Sequence, residues 1–219
     1  MRRVDYYQRA RSPERKAERA QALVEAAREL ATERGVRSVT LTAIAGRAGL
    51  HHSAMRRYFS SHKEVLLRLA GEGWTDFAAT VRADLAAKDQ VDAAGLAGTL
   101  VGGLVRDPLF CDLLGNSRNL EEDVDIAYVR EFQHIGLVAV EDLVASMTQA
   151  MPALSAAGAI DMVAAVHSVA GTRWQVTHPP EQLARLYDDD PDLKALAGEF
   201  VPSVTRLLTA VGIGLTAPG

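Results

Sequence analysis

One cysteine, Cys111, stands in a chain of 219 residues. No intrachain disulfide can form, a reducing compartment is the natural setting, and a small buried hydrophobe is the simplest role for the thiol. No apolar run is long enough to span a membrane; the longest weakly polar stretch, Leu96 to Val105, is about half of one. The opening MRRVDYYQRARSPER has no apolar core and does not read as a secretory signal. A soluble, cytoplasmic protein with no membrane partner is expected. Alternating runs flanked by hairpin turns are missing, which removes β architectures and leaves an all-α fold. Metal-ligand spacing is missing as well. His51 and His52 are adjacent, so on a helix they point about 100° apart, and Asp188-Asp189-Asp190 lacks the spacing of a calcium loop. No metal and no cofactor is expected. No His has a spaced Ser, Cys or carboxylate partner for nucleophilic chemistry, so the chain does not read as an enzyme.

What is present is a globular composition, 48% apolar and 24% charged. The net charge of −4 argues against a nucleic-acid partner only while the chain is taken whole. Met1 to Ala70 holds 15 Lys+Arg against 7 Asp+Glu, leaving 9 and 21 for the remainder out of 24 and 28. A basic head joined to an acidic body suggests a DNA-binding part on a part that DNA repels.

The stretch Val39 to Leu66, VTLTAIAGRAGLHHSAMRRYFSSHKEVL, carries that head. Thr40 is a good N-cap before Leu41, Ile44, Ala45 and Ala48, and Gly49 is a helix stop and turn. A second short helix over His52 to Phe59 has Met55 and Phe59 on one face. Its other face offers His51, His52, Ser53, Arg56 and Arg57. Ser61-His62-Lys63-Glu64 is a capping box that opens a longer helix. Two short helices around a Gly turn, the second basic outside, are the parts of a helix-turn-helix reader.

Residues 1–11 read as a mobile basic tail, either solvated or an arm that touches phosphates. Ser12-Pro13 then starts a helix to Arg34 whose stripe of Ala20, Leu23, Val24, Ala27, Leu30 and Ala31 should pack on Ile44, Met55 and Phe59. Residues 12–60 form the DNA-binding domain and 61–219 the body. The Ser61 helix carries Leu66, Ala70, Phe77, Val81 and Leu85, and is interrupted by Gly71 and Gly73, which are either packing glycines or a hinge. Asp107-Pro108 and Asp190-Pro191 repeat the cap-then-Pro start. A long helix to about Met151 carries Tyr128, Phe132, Ile135, Ala139, Leu143 and Met147 on one stripe. The helix from Ser155 to Thr177 is apolar on two sides, which suggests burial on both. A last helix, Asp192 to Leu215, should kink or split at Pro202.

The head resembles the TetR family of transcriptional repressors. The residues that carry the resemblance are Thr40, Ile44-Ala45, Ala48-Gly49-Leu50-His51, Tyr58-Phe59 and Ser61-His62-Lys63-Glu64-Val65-Leu66. Asp107-Pro108-Leu109-Phe110 and His178-Pro179-Pro180 are similar to one branch of the family's ligand domains. The family usually has Ser where His51 stands, often Tyr at Arg56 and often Lys at His62. The resemblance implies a homodimer on a near-palindromic operator, with Thr40, Thr42, His51, His52, Ser53, Arg56, Arg57, His62 and Lys63 as the DNA-binding set. It implies a dimer contact from the last two long helices, with Val166, Val169, Val204, Leu208 and Val211 as candidates. It also implies a body cavity for a small apolar or amphipathic effector, its identity unknown. Stripe geometry offers Trp74, Phe77, Phe110, Phe132, His167 and Trp174 as the pocket lining, although a packed core explains His167 and Trp174 equally well. A ligand-responsive repressor is the leading expectation. A DNA-binding dimer without a small-molecule ligand, and an all-helical binding protein or enzyme with an incidental helix-turn-helix, are the alternatives.

Overall fold

The computed structural model describes residues 5–217, and among them the regular structure is helical throughout. The head comprises α1 (Asp5–Arg34), a 3-10 turn at Val36–Ser38, α2 (Leu41–Arg47) and α3 (His52–Met55). The body comprises α4 (His62–Ala86), α5 (Ala93–Arg106), α6 (Pro108–Glu121), α7 (Ile126–Ala150), α8 (Ala156–Thr177), α9 (Glu181–Asp189), α10 (Pro191–Ala197) and α11 (Phe200–Thr216). Of the expected tail, residues 1–4 lie outside the described residues. The helix begins at Asp5, so Ser12-Pro13 is not its start.

The head forms as its stripe predicts. Leu23, Val24, Ala27, Leu30 and Ala31 of α1 are buried with Ile44, Met55 and Phe59. Short helices such as α2 and α3 are marginal alone and are held by this shared core. Thr40 caps α2 by accepting the Ala43 amide at 3.2 Å. Leu50 N–H to Ala45 O at 2.8 Å and Gly49 N–H to Gly46 O at 3.2 Å close α2 in a Schellman turn, which needs the positive φ of 67° that Gly49 supplies. One boundary differs: α3 ends at Met55, and Arg56 to Tyr58 form a turn rather than helix.

In the body, Ser61 accepts the Glu64 amide at 3.3 Å, as the capping box requires. The Glu64 carboxylate reaches back one residue further than usual, accepting from the Ser60 amide at 2.7 Å. Asp92, Asp107, Asp125 and Ser155 cap α5, α6, α7 and α8. α4 runs unbroken through Gly71 and Gly73, and the glycines are there for packing. A Cβ on Gly73 would meet Phe110 Cδ2 at 2.4 Å, and one on Gly71 would meet Ile135 Cδ1 at 3.2 Å. Another tight crossing joins α6 to α8, where a Cβ on Gly115 would lie 2.8 Å from the Gly171 carbonyl.

The end of the chain departs from expectation. α9 and α10 occupy the span read as loop and helix start, and Gly198, with φ 63°, separates α10 from α11. Pro202 sits in the first turn of α11, where no intrahelical donor is lost, so it neither kinks nor splits the helix. α8 is not buried all round either: Ala157, Ile160, Asp161, Ala164 and Ser168 are exposed.

Candidate functional site

His51, Ser53, Arg56 and Arg57 are exposed on the outer side of the head, as are Thr40 and Thr42. His52 begins α3, and its side chain lies outside the described residues. His51 serves as the cap that a Ser would otherwise provide. The Ser53 amide donates to His51 Nδ1 at 3.3 Å, and Ser53 Oγ lies 2.9 Å from the same nitrogen. An amide can only donate, so Nδ1 accepts and the ring proton sits on Nε2.

His62 and Lys63 open α4 and are half-buried. Lys63 Nζ donates to the Glu122 carbonyl at 3.0 Å and to Asn119 Oδ1 at 3.5 Å. His62 lines a cleft of about 380 Å³ with Arg37, Leu66 and Asn116, and burial, then Lys63, pulls its pKa below the usual histidine range. His62 belongs to the joint between head and body, and Lys63 ties α4 to the end of α6. That joint is held by α6 and α4. Asp112 Oδ2 accepts the Val36 amide at 2.7 Å, and Arg37 Nε donates to Asn116 Oδ1 at 3.2 Å. Asn116 Nδ2 in turn donates to Asp112 Oδ1 at 3.2 Å. Arg28 of α1 and Arg68 of α4 both reach Glu72. Within the head, Arg47 holds Glu33 at 2.7 Å and Glu29 at 2.9 Å, fixing α2 on α1. The Arg47 hydrogen bond lowers the Glu33 pKa.

Among the described residues the six expected pocket residues fall into separate groups. Trp74 packs edge-on against Phe77, Phe110 and His167 at ring distances of 6.3, 5.3 and 5.9 Å. Phe77 and Phe110 are 5.6 Å apart. These rings fill the space between α4, α6 and α8 with one another. His167 Nε2 finds Ser117 Oγ at 3.0 Å, and burial lowers its pKa, which favours the neutral ring. Trp174 lies elsewhere, stacked on His178 at 3.6 Å and edge-on to Phe200. Phe132 lines a groove of about 820 Å³ between α1, α4 and α7. A neighbouring groove of about 990 Å³ follows the α4–α7 seam past Thr75, Ala78, Arg82, His134, Ile135 and Val138.

The expected dimer residues also sort differently. Val166, Val204 and Leu208 are sealed in the subunit's own core at 1%, 0% and 0% exposure, and only Val169 and Val211 are half-buried. The large apolar side chains that α8 and α11 leave exposed are Ile160, Val201, Leu207 and Ile213.

Residues 23–69 match the family described as bacterial regulatory proteins, tetR family, and residues 72–219 match the tetracyclin repressor-like C-terminal domain. The chain belongs to the TetR family. It is thus a DNA-binding transcriptional regulator and not an enzyme. A solved structure of the fatty acid degradation regulator FadR from Bacillus halodurans is similar to it, at 17% identity and a TM-score of 0.52 over 87% of this chain and 94% of that one. At that identity the likeness concerns the fold. Among curated proteins nothing matches. Among the described residues no helix is long and apolar enough to cross a membrane. For a TetR regulator, the functional groups missed by sequence reading are those of the joint: Asp112, Asn116 and Glu72. Asp112 and Asn116 stand four apart on α6, on one face, and that spacing was the available signal.

Proposed function

We propose that the chain is a repressor that binds a near-palindromic operator as a homodimer in the cytoplasm and releases it when a small amphipathic molecule binds the body. The observation that carries this reading is the exposed set His51, Ser53, Arg56 and Arg57, on a head bonded to α6 and α4 through Asp112, Asn116 and Glu72. Arg56 and Arg57 suit phosphates, the commonest protein–DNA contact, and a guanidinium that reaches a base suits guanine. A dimer contact through Ile160, Val201, Leu207 and Ile213 is supported by their exposure on adjacent helices. Two grooves along α4 and α7 offer room for an effector.

The packed cluster of Trp74, Phe77, Phe110 and His167 favours a second reading, a dimer that binds DNA without a small-molecule ligand. Titration of operator DNA with the purified protein, with and without a panel of metabolites, separates the two. Release by one class of metabolite supports the first reading, and affinity unmoved by every class supports the second.

A further inference from the structure

The groove of about 820 Å³ between head and body has an unusual lining. Its wall includes Tyr58, Tyr128 and Phe132, and its charged groups are Glu64, Glu72, Asp76 and Glu131 against Lys16 and Arg68. Arg68 and Glu72 pair at 3.5 Å, which cancels one charge of each sign. Asp76 and Glu131 are exposed and have no ion-pair partner among the described residues. Glu64 stands out most. It is 2% exposed, it lines the groove, and the one partner of its carboxylate among the described residues is the Ser60 amide. At the N-terminus of α4 that amide and the positive end of the helix satisfy it, so Glu64 adds negative field to the groove rather than a free ligand atom. Tyr128 feels the same field: burial, then Glu64, Glu131 and Asp125, raise its pKa.

We propose that this groove binds an organic cation with an aromatic or apolar portion. The positive end would be met by Asp76 and Glu131, and the rings of Tyr58, Tyr128 and Phe132 would supply apolar area and cation–π attraction. The groove is walled by Lys16 and Ala20 of α1 and by Tyr58 beyond α3 on the head side, and by α4 and α7 on the body side. An occupant therefore acts on the placement of the head. That consequence rests on the repressor reading above, whereas the binding itself does not.

The test uses the full chain and phenyltrimethylammonium, with tert-butylbenzene as its uncharged isostere, by calorimetry and saturation-transfer NMR. The cation should bind about 10-fold more tightly than the isostere. Asp76→Asn with Glu131→Gln changes two exposed groups and should cut cation affinity about 10-fold while leaving the isostere unchanged. Equal binding of cation and isostere, or a double variant that binds the cation as wild type does, would overturn the site. Saturating cation should shift DNA affinity in wild type and not in the double variant; cation binding with DNA affinity unmoved would overturn the coupling. No DNA binding even without the probe would instead overturn the repressor reading, with calorimetry alone deciding the groove.

Discussion

Replacing Gly73 with alanine should destabilise the subunit, although glycine is a poor helix former and Gly73 lies inside α4. Helix propensity alone favours the substitution by about 1 kcal/mol. Packing opposes it. The new Cβ would lie 2.4 Å from Phe110 Cδ2 and 3.0 Å from Cγ, well inside contact distance. Phe110 has little room to yield: it is 1% exposed and wedged against Trp74 at 5.3 Å and Phe77 at 5.6 Å. Overpacking of this kind costs about 1–3 kcal/mol, and a pinned ring puts it near the upper end. The net loss is then about 2 kcal/mol, or about 4–8 °C in Tm for a chain of this size. Gly98→Ala is the control, because Gly98 is exposed within α5 and a Cβ there meets nothing within 4 Å. It should gain up to about 1 kcal/mol. Thermal and urea denaturation at one fixed protein concentration reads both effects, since a dimer's apparent stability depends on concentration. A Gly73→Ala protein as stable as wild type, beside a stabilised Gly98→Ala, would refute the packing argument and reopen the hinge.

Leu208→Asp should unfold the subunit rather than merely split a dimer, by several kcal/mol, because the side chain is 0% exposed within its own subunit. Leu207→Asp and Ile213→Asp change exposed side chains and should leave circular dichroism intact while sedimentation shows monomers; dimers from both would move the interface elsewhere. Cys111 is fully buried and its pKa is pushed up to about 12, chiefly by burial, so it should resist thiol reagents until denaturant opens the core. Rapid labelling of the native protein would contradict that placement. The lowered pKa of Glu33 adds stability that is present at neutral pH and lost as acid protonates it. Arg47→Gln should therefore flatten part of the acid limb of the head's stability curve, and an unchanged limb would show the ion pair to be idle.

Local chemistry was legible in the sequence where one residue decides one bond. Thr40, Ser61, Asp107 and Asp190 cap the helices they were expected to open, and Gly49 takes the left-handed turn. Periodicity also predicted which faces of α1 and α7 turn inward. It could not show whether inward residues leave a void. Trp74, Phe77 and Phe110 point inward as expected, but the slot opened by Gly73 lets Phe110 close on them. Nor does an apolar stripe distinguish the subunit's own core from a partner's surface. That is why Val204 and Leu208 were read as interface, while the exposed Leu207 and Ile213 beside them on the same helix were passed over. Long-range polar bonds were beyond reach for a simpler reason. Asp112 and Val36 are 76 positions apart, and no local rule joins them.

The central claim is that the head reads DNA through Arg56 and Arg57 in a dimer. A genome-wide footprint with the purified protein, repeated with Arg56→Ala and Arg57→Ala, tests it most directly. The account predicts protection of near-palindromic sites whose half-sites lie about one helical turn apart, with each variant binding more weakly and the salt slope of log K falling by about 1 for a lost phosphate contact. Protection unchanged in affinity and slope in both variants, or no protected site at all, would contradict it.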